Sequence, residues 1–209
     1  MRFDPVFREE LARLIGWRRD VRRFRTKAIP ESEVQNLLRL AQLAPSVGNA
    51  QPWRFVRVRS PALRTALADH VDAEISRAGE AIAPDRRDAY AALKLHGLRE
   101  APEIVAVFCD EETVAGGGLG AATMPETRAY SVVLAIHTVW LAARAAGIAL
   151  GWVSIVDPAH VARLLDVPAG WRLVALLCLG WPEDESEMPE LERLGWQDRL
   201  DWRANVSSR

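Results

Sequence analysis

The chain predicts an α+β domain, on three observations. Apolar residues recur at helical spacing in several stretches, and four short runs are dense in β-formers. Neither an internal repeat nor a linker-like segment separates them. The 209 residues are 49% hydrophobic and 26% charged, which suffices for one sizeable core and excludes disordered, collagen-like and coiled-coil classes. One domain is therefore expected over residues 1–209.

The elements follow in order. Phe7, Leu11, Leu14 and Ile15 share one helical face and give a first helix. Pro30 opens a second, with Val34, Leu37, Leu38 and Ala41 on its face; it stops near Ala44, because Pro45 disfavours helical backbone just before it. Residues 53–58 (WRFVRV) alternate as a first strand, and helical patterns run from about Pro61 to Gly79 and from Asp85 to Glu100. IVAVFC at 104–109 is a second strand. A loop with Gly116, Gly117, Gly118 and Gly120 follows, expected as a flexible segment or lid.

Residues 130–146 are apolar nearly all round and end at Gly147, so a central helix is expected, with His137 as a satisfied core histidine. A third strand spans 150–156, Asp157 and Pro158 suit the start of another helix, and a fourth strand spans 172–179 before Gly180 and Pro182. The polar tail from Glu183 carries Trp196 and Trp202, which implies packing on another surface, such as a partner subunit.

Charge narrows the function. The 27 basic and 28 acidic residues nearly cancel, whereas nucleic-acid and anionic-membrane binders carry a positive excess. Cys109 and Cys178 lie in apolar runs and read as buried thiols, not a disulfide framework. The N-terminus lacks the apolar core of a signal peptide, and the most apolar stretch, 129–156, is interrupted by His137, Arg144 and glycines. A cytoplasmic, reduced context is expected. His70, His96, His137 and His160 show no metal-ligand spacing, the glycine loop lacks the Lys-Ser/Thr of a phosphate-binding P-loop, and no nucleophile triad stands out.

Two segments carry chemistry. Arg18, Arg19, Arg22, Arg23 and Arg25 fall within eight residues, RRDVRRFR. Only Lys27 and Lys94 among the basic residues are lysines, so arginine is abundant everywhere and a solvated charged face is the plain alternative. The chemical reading is a phosphate gripped by planar, bidentate guanidinium groups. The second segment, APSVGNAQPWRF at 44–55, reads by itself as a tight connecting loop.

Together, at this spacing, the two segments resemble the nitroreductase-like flavoprotein superfamily, in which both meet FMN. RRDVRRF, APSVG, QPWRF, LKLHGLREAP, TMPET, WLAARA and GWVSI are similar to its 5,6-dimethylbenzimidazole synthase branch over about residues 7 to 200. Asp20, where most of the superfamily has serine, and Ser154 of GWVSI discriminate best. The resemblance implies an antiparallel-dominated sheet surrounded by helices, and a homodimer with FMN sites at the subunit interface. It implies an oxidoreductase of cobalamin biosynthesis for which reduced FMN is the substrate. With O₂ the flavin is fragmented to 5,6-dimethylbenzimidazole, the lower ligand of vitamin B12, and erythrose 4-phosphate. A separate flavin reductase would supply the reduced flavin, and no metal is required.

The resemblance also assigns residues. Arg18, Arg19 and Arg22, with Asp20 and Val21 between them, match the phosphate-contacting segment; Arg23 and Arg25 are expected to face solvent. Ser46 and Gly48 match the second loop, and Leu95 falls in a segment lying over the flavin. Arg199 matches a tail arginine that reaches the phosphate, with a surface arginine as the alternative. Asp20 is the expected general base for a ribityl proton, against a salt-bridged or helix-capping aspartate. Ser154 is expected to hydrogen-bond the flavin edge or orient the oxygen, against a strand-end serine satisfied by backbone. Trp181 stands where a smaller aromatic is common, and Asn49, in a variable pair with Ala50, is what an ordinary nitroreductase carries, so an NAD(P)H-dependent nitro- or flavin reductase is the rival, and a non-enzymatic FMN-binding subunit the second. Asp20 weighs against the reductase, because a carboxylate repels negative charge on a reduced ring.

Overall fold

In the computed structural model, which describes residues 2–209, the longest strand, β5 (Trp171–Pro182), organises the sheet. It pairs with β3 (Glu103–Asp110), with β4 (Ala149–Val153) and, at its far end, with β1 (Phe24–Arg25); β2 (Trp53–Arg57) extends the sheet from β3. Each of these pairings is antiparallel, and one isolated parallel bridge joins Asp20 to Leu150.

Strand β3 shows why the sheet has two cores. All six residues from Ile104 to Cys109 are buried, as a central strand covered on both faces requires. Val105, Val107 and Cys109 face α2 (Glu31–Ala41) and α5 (Thr127–Ala145), packing with Leu37, Ile136 and Val139. Ile104, Ala106 and Phe108 face α3 (Pro61–Glu80) and α6 (Pro158–Leu164), packing with Leu67, Val71 and Val161. The period of two divides one run between two layers. Each fully buried Leu or Phe stabilises by roughly 1.5–3 kcal/mol. The cysteines belong to these cores, and burial pushes the Cys109 thiol up to about 11 and Cys178 to about 12.

Helix starts are where side-chain chemistry places them. Asp4 Oδ1 accepts from Phe7 N–H at 2.8 Å to cap α1 (Pro5–Trp17), and Asp157 Oδ1 accepts from Ala159 N–H at 2.9 Å to cap α6, each followed by a first-turn proline.

Three expectations are corrected. The helix expected over 85–100 is only α4 (Arg87–Ala91); farther on the chain is irregular, and Gly97 is pressed against Phe24, where a Cβ would sit 2.5 Å from the ring. The glycine loop is a seat, not a free lid. Gly116, at φ +78°, lies so close to the 47–49 turn that its Cβ would stand 2.6 Å from the Gly48 carbonyl oxygen. Helix α5 is buried along one side only, through Ser131, Val132, Ala135, Ile136, Val139 and Ala143. Tyr130, Val133, Leu134 and His137 are exposed, so His137 is not a core histidine. Helix α1 has the expected apolar stripe yet buries no residue. No helix among the described residues is long and apolar enough to cross a membrane.

Candidate functional site

The site is built on the free edge of β4. After α1 the chain turns extended at Arg18 and runs along that edge, where Val21 N–H donates to the Leu150 carbonyl at 3.1 Å. The next bond along the edge is not made by backbone. Trp152 N–H donates to Asp20 Oδ1 at 2.8 Å, so a carboxylate completes the ladder. Asp20 Oδ2 accepts from Arg22 Nη2 at 2.9 Å. Such closeness needs Gly151, where a Cβ would lie 2.0 Å from the Val21 carbonyl oxygen.

Asp20 is thus salt-bridged and does not cap a helix. Burial pushes its carboxyl above the ordinary aspartate value, outweighing the pull of Arg22 and the Trp152 hydrogen bond. Its side chain remains 30% exposed, so solutes can reach it. Ser154 is exposed just beyond β4, two residues from the N–H that holds Asp20.

The arginines divide into two sets. Arg18 lies over the Trp140 indole at 4.7 Å, and Trp140 Nε1–H donates to the Arg19 carbonyl at 3.1 Å. Arg19 Nη1 donates to the Arg18 carbonyl, while its buried Nε has no partner. Neither takes part in an ion pair among the described residues. Burial, then the charges of Arg199 and Arg18, lower the Arg19 pKa. Arg22 and Arg23, by contrast, are engaged: Arg22 Nη1 lies 3.4 Å from Glu190 Oε2, and Arg23 pairs with Glu190 Oε1. Arg23 therefore does not simply face solvent; Arg25 does. Arg199 is exposed, 4.0 Å from Glu192, and shares with Arg18, Arg19, Asp20, Arg22 and Glu190 a cavity of about 160 Å³. An unpaired arginine pair with a buried orphan N–H, joined by Arg199, fits a dianion.

The second loop is shaped internally. Ser46 Oγ accepts from Gln51 N–H at 3.1 Å, and Ser131 Oγ accepts from Val47 N–H at 3.0 Å. Gly48, Asn49 and Gln51 all take positive φ, which for Asn49 and Gln51 stores strain of the kind concentrated at ligand sites. Leu95 is half-buried in the irregular segment after α4. The cavities lined by the arginine segment include none of Ser46, Gly48 and Leu95. Within one chain the structure gathers Arg18, Arg19, Asp20, Val21, Arg22 and Arg199, and leaves the second loop apart.

The family model described as nitroreductase family matches residues 15–181. The chain belongs to the nitroreductase family. It is 61% identical to a 5,6-dimethylbenzimidazole synthase of Rhodospirillum rubrum, covering 94% of this chain and 93% of the relative. A Rhodobacter capsulatus protein of the same name is 48% identical, covering 96% and 97%. Among solved structures, oxidised iodotyrosine deiodinase bound to FMN and 3-iodo-L-tyrosine superposes with a TM-score of 0.75 at 25% identity, covering 95% of this chain and 97% of that one. The expected nitroreductase-like α+β fold is borne out.

Reading the residues alone missed three participants. Trp140 and Gly151 stand in the WLAARA and GWVSI motifs, but as markers without a role. Glu190 has no local signal at all.

Proposed function

We infer that this chain is a 5,6-dimethylbenzimidazole synthase, an oxidoreductase that fragments reduced FMN with O₂ to 5,6-dimethylbenzimidazole and erythrose 4-phosphate. The observation that carries this reading is Asp20: a reachable carboxylate of raised pKa, fixed by Trp152 N–H and Arg22 amid arginines suited to a phosphate. Near-full-length likeness to proteins of that name supports it.

Bound reduced FMN supplies the electrons and the carbon skeleton of the product. Arg18 and Arg19, with Arg22 and Arg199, hold the phosphate through charge-assisted hydrogen bonds, and the Val21 backbone, bonded to Leu150, fixes the segment that carries them. Asp20 takes a ribityl proton on its carboxylate; its raised pKa brings it nearer to the operating pH and makes it a better acceptor of that proton. Ser154 donates its hydroxyl proton toward the flavin edge, and Leu95 covers the ring. A separate flavin reductase keeps FMN reduced, and the cytoplasm is the fitting compartment.

A second copy of the chain completes the site. Helix α1 with no buried residue and the exposed Tyr130–Val133–Leu134–His137 side of α5 are apolar faces that pairing of two chains would cover. Ser46 and Gly48 then come from the partner to meet the arginine segment. Residues 1–209 act as one domain.

The test is Asp20→Asn, assayed with excess reduced FMN in air. Loss of dimethylbenzimidazole formation by about 10²–10⁴-fold, with FMN binding retained, is expected for a lost proton acceptor. Undiminished formation would remove Asp20 from that role. Steady nicotinamide oxidation by the wild type with flavin conserved would favour the reductase instead.

A further inference from the structure

A flavin that is consumed must be exchanged at every turnover, so the phosphate grip has to release as well as hold. Glu190 bears on this. It sits on α7 (Glu190–Arg193) of the C-terminal tail with its side chain only 13% exposed, and its two oxygens face Arg22 Nη1 and Arg23 Nη1. Arg22 Nη2 is already on Asp20. Both terminal nitrogens of Arg22 therefore face carboxylates, and no Nη–Nη edge is left for a bidentate phosphate contact. The tail is held in this place. Arg86 lies 3.9 Å over the Trp196 ring and its Nη2 donates to the Trp196 carbonyl at 2.7 Å, with Tyr90 packed beside the same ring at 6.2 Å. Trp196, expected to pack on a partner, packs on its own chain.

We propose that Glu190 is a built-in competitor for the flavin phosphate, an internal anion on Arg22 and Arg23 that sets FMN affinity low enough for exchange. This rests on the reading of the arginine segment as a phosphate clamp. An internal carboxylate can instead orient arginines for a ligand, and the sign of one substitution separates the two roles. Removing a competitor tightens binding; removing an orienting group weakens it.

The experiment titrates oxidised FMN and riboflavin, by quenching of flavin fluorescence, into wild type, Glu190→Gln and Glu190→Asp, each first shown to melt as wild type does. Glu190→Gln is expected to bind FMN about tenfold more tightly, to leave riboflavin affinity unchanged, and to let inorganic phosphate displace FMN at lower concentration. Glu190→Asp, which keeps the anion, stays near wild type. FMN affinity equal or weaker in Glu190→Gln, or an equal gain for riboflavin, overturns the proposal while leaving the clamp intact. Wild type that binds riboflavin as tightly as FMN, unaffected by phosphate, overturns the clamp itself.

Discussion

Gly151→Ala is the sharpest test of how the fold builds the site. The new methyl would begin 2.0 Å from the Val21 carbonyl oxygen, about 1 Å inside normal contact, with backbone on both sides. Either β4 or the arginine segment must move by that distance. The two bonds that tie them, Val21 N–H to Leu150 at 3.1 Å and Trp152 N–H to Asp20 at 2.8 Å, would then stretch beyond useful length. Losing a neutral and a charge-assisted hydrogen bond costs about 2–4 kcal/mol. At about 2–4 °C per kcal/mol for a chain of this size, the melting temperature should fall by roughly 5–15 °C. FMN affinity should fall at least about tenfold, since Arg18, Arg19 and Asp20 lose their common support. Thermal melts followed by flavin titration at 10 °C, where the variant is still folded, separate the two effects. A variant that melts and binds FMN as wild type does would refute the close approach as the support of the site.

Two further outcomes follow from the same geometry. Because the folded Asp20 titrates above its ordinary value of 3.8, the folded state binds more protons there than the unfolded chain, and that contribution to stability is lost as pH rises through this window. Urea denaturation from pH 3.5 to 7 should therefore show wild type losing stability relative to Asp20→Asn as pH rises; a flat or opposite difference contradicts the raised value. Phe7→Glu combined with Leu134→Glu places charges on the exposed apolar faces of α1 and α5, and light scattering should find monomers that no longer bind FMN, against a dimeric wild type. A monomeric wild type that binds FMN, or an unaffected variant, contradicts the two-chain site.

Much of the architecture was legible because its causes are local. The unbroken apolar run IVAVFC produced a central strand buried on both faces, and Asp157-Pro158 capped a helix where those residue types do so. Other features depend on what lies across the fold. Helix α5 is apolar nearly all round, so periodicity cannot say which side meets the sheet; the structure buries Ile136 and exposes Leu134. The segment after α4 has helical spacing, yet Phe24, distant in sequence, occupies the space a side chain at 97 would need. The site divides in the same way. Arg18 to Arg22 announce themselves by density, whereas Glu190 pairs with Arg22 across 168 positions and leaves no trace in any short window. Asp20 stood out by its place among arginines, but its role as the last rung of the β4 edge arises only where the chain folds back on Trp152.

Whether the flavin is destroyed or recycled separates a synthase from a reductase most directly. Purified protein should be mixed with a known amount of reduced FMN in air, and both the dimethylbenzimidazole formed and the FMN remaining quantified by mass spectrometry over many turnovers. One dimethylbenzimidazole per FMN lost, with erythrose 4-phosphate in equal yield, is the expected result; complete recovery of FMN with no dimethylbenzimidazole contradicts it.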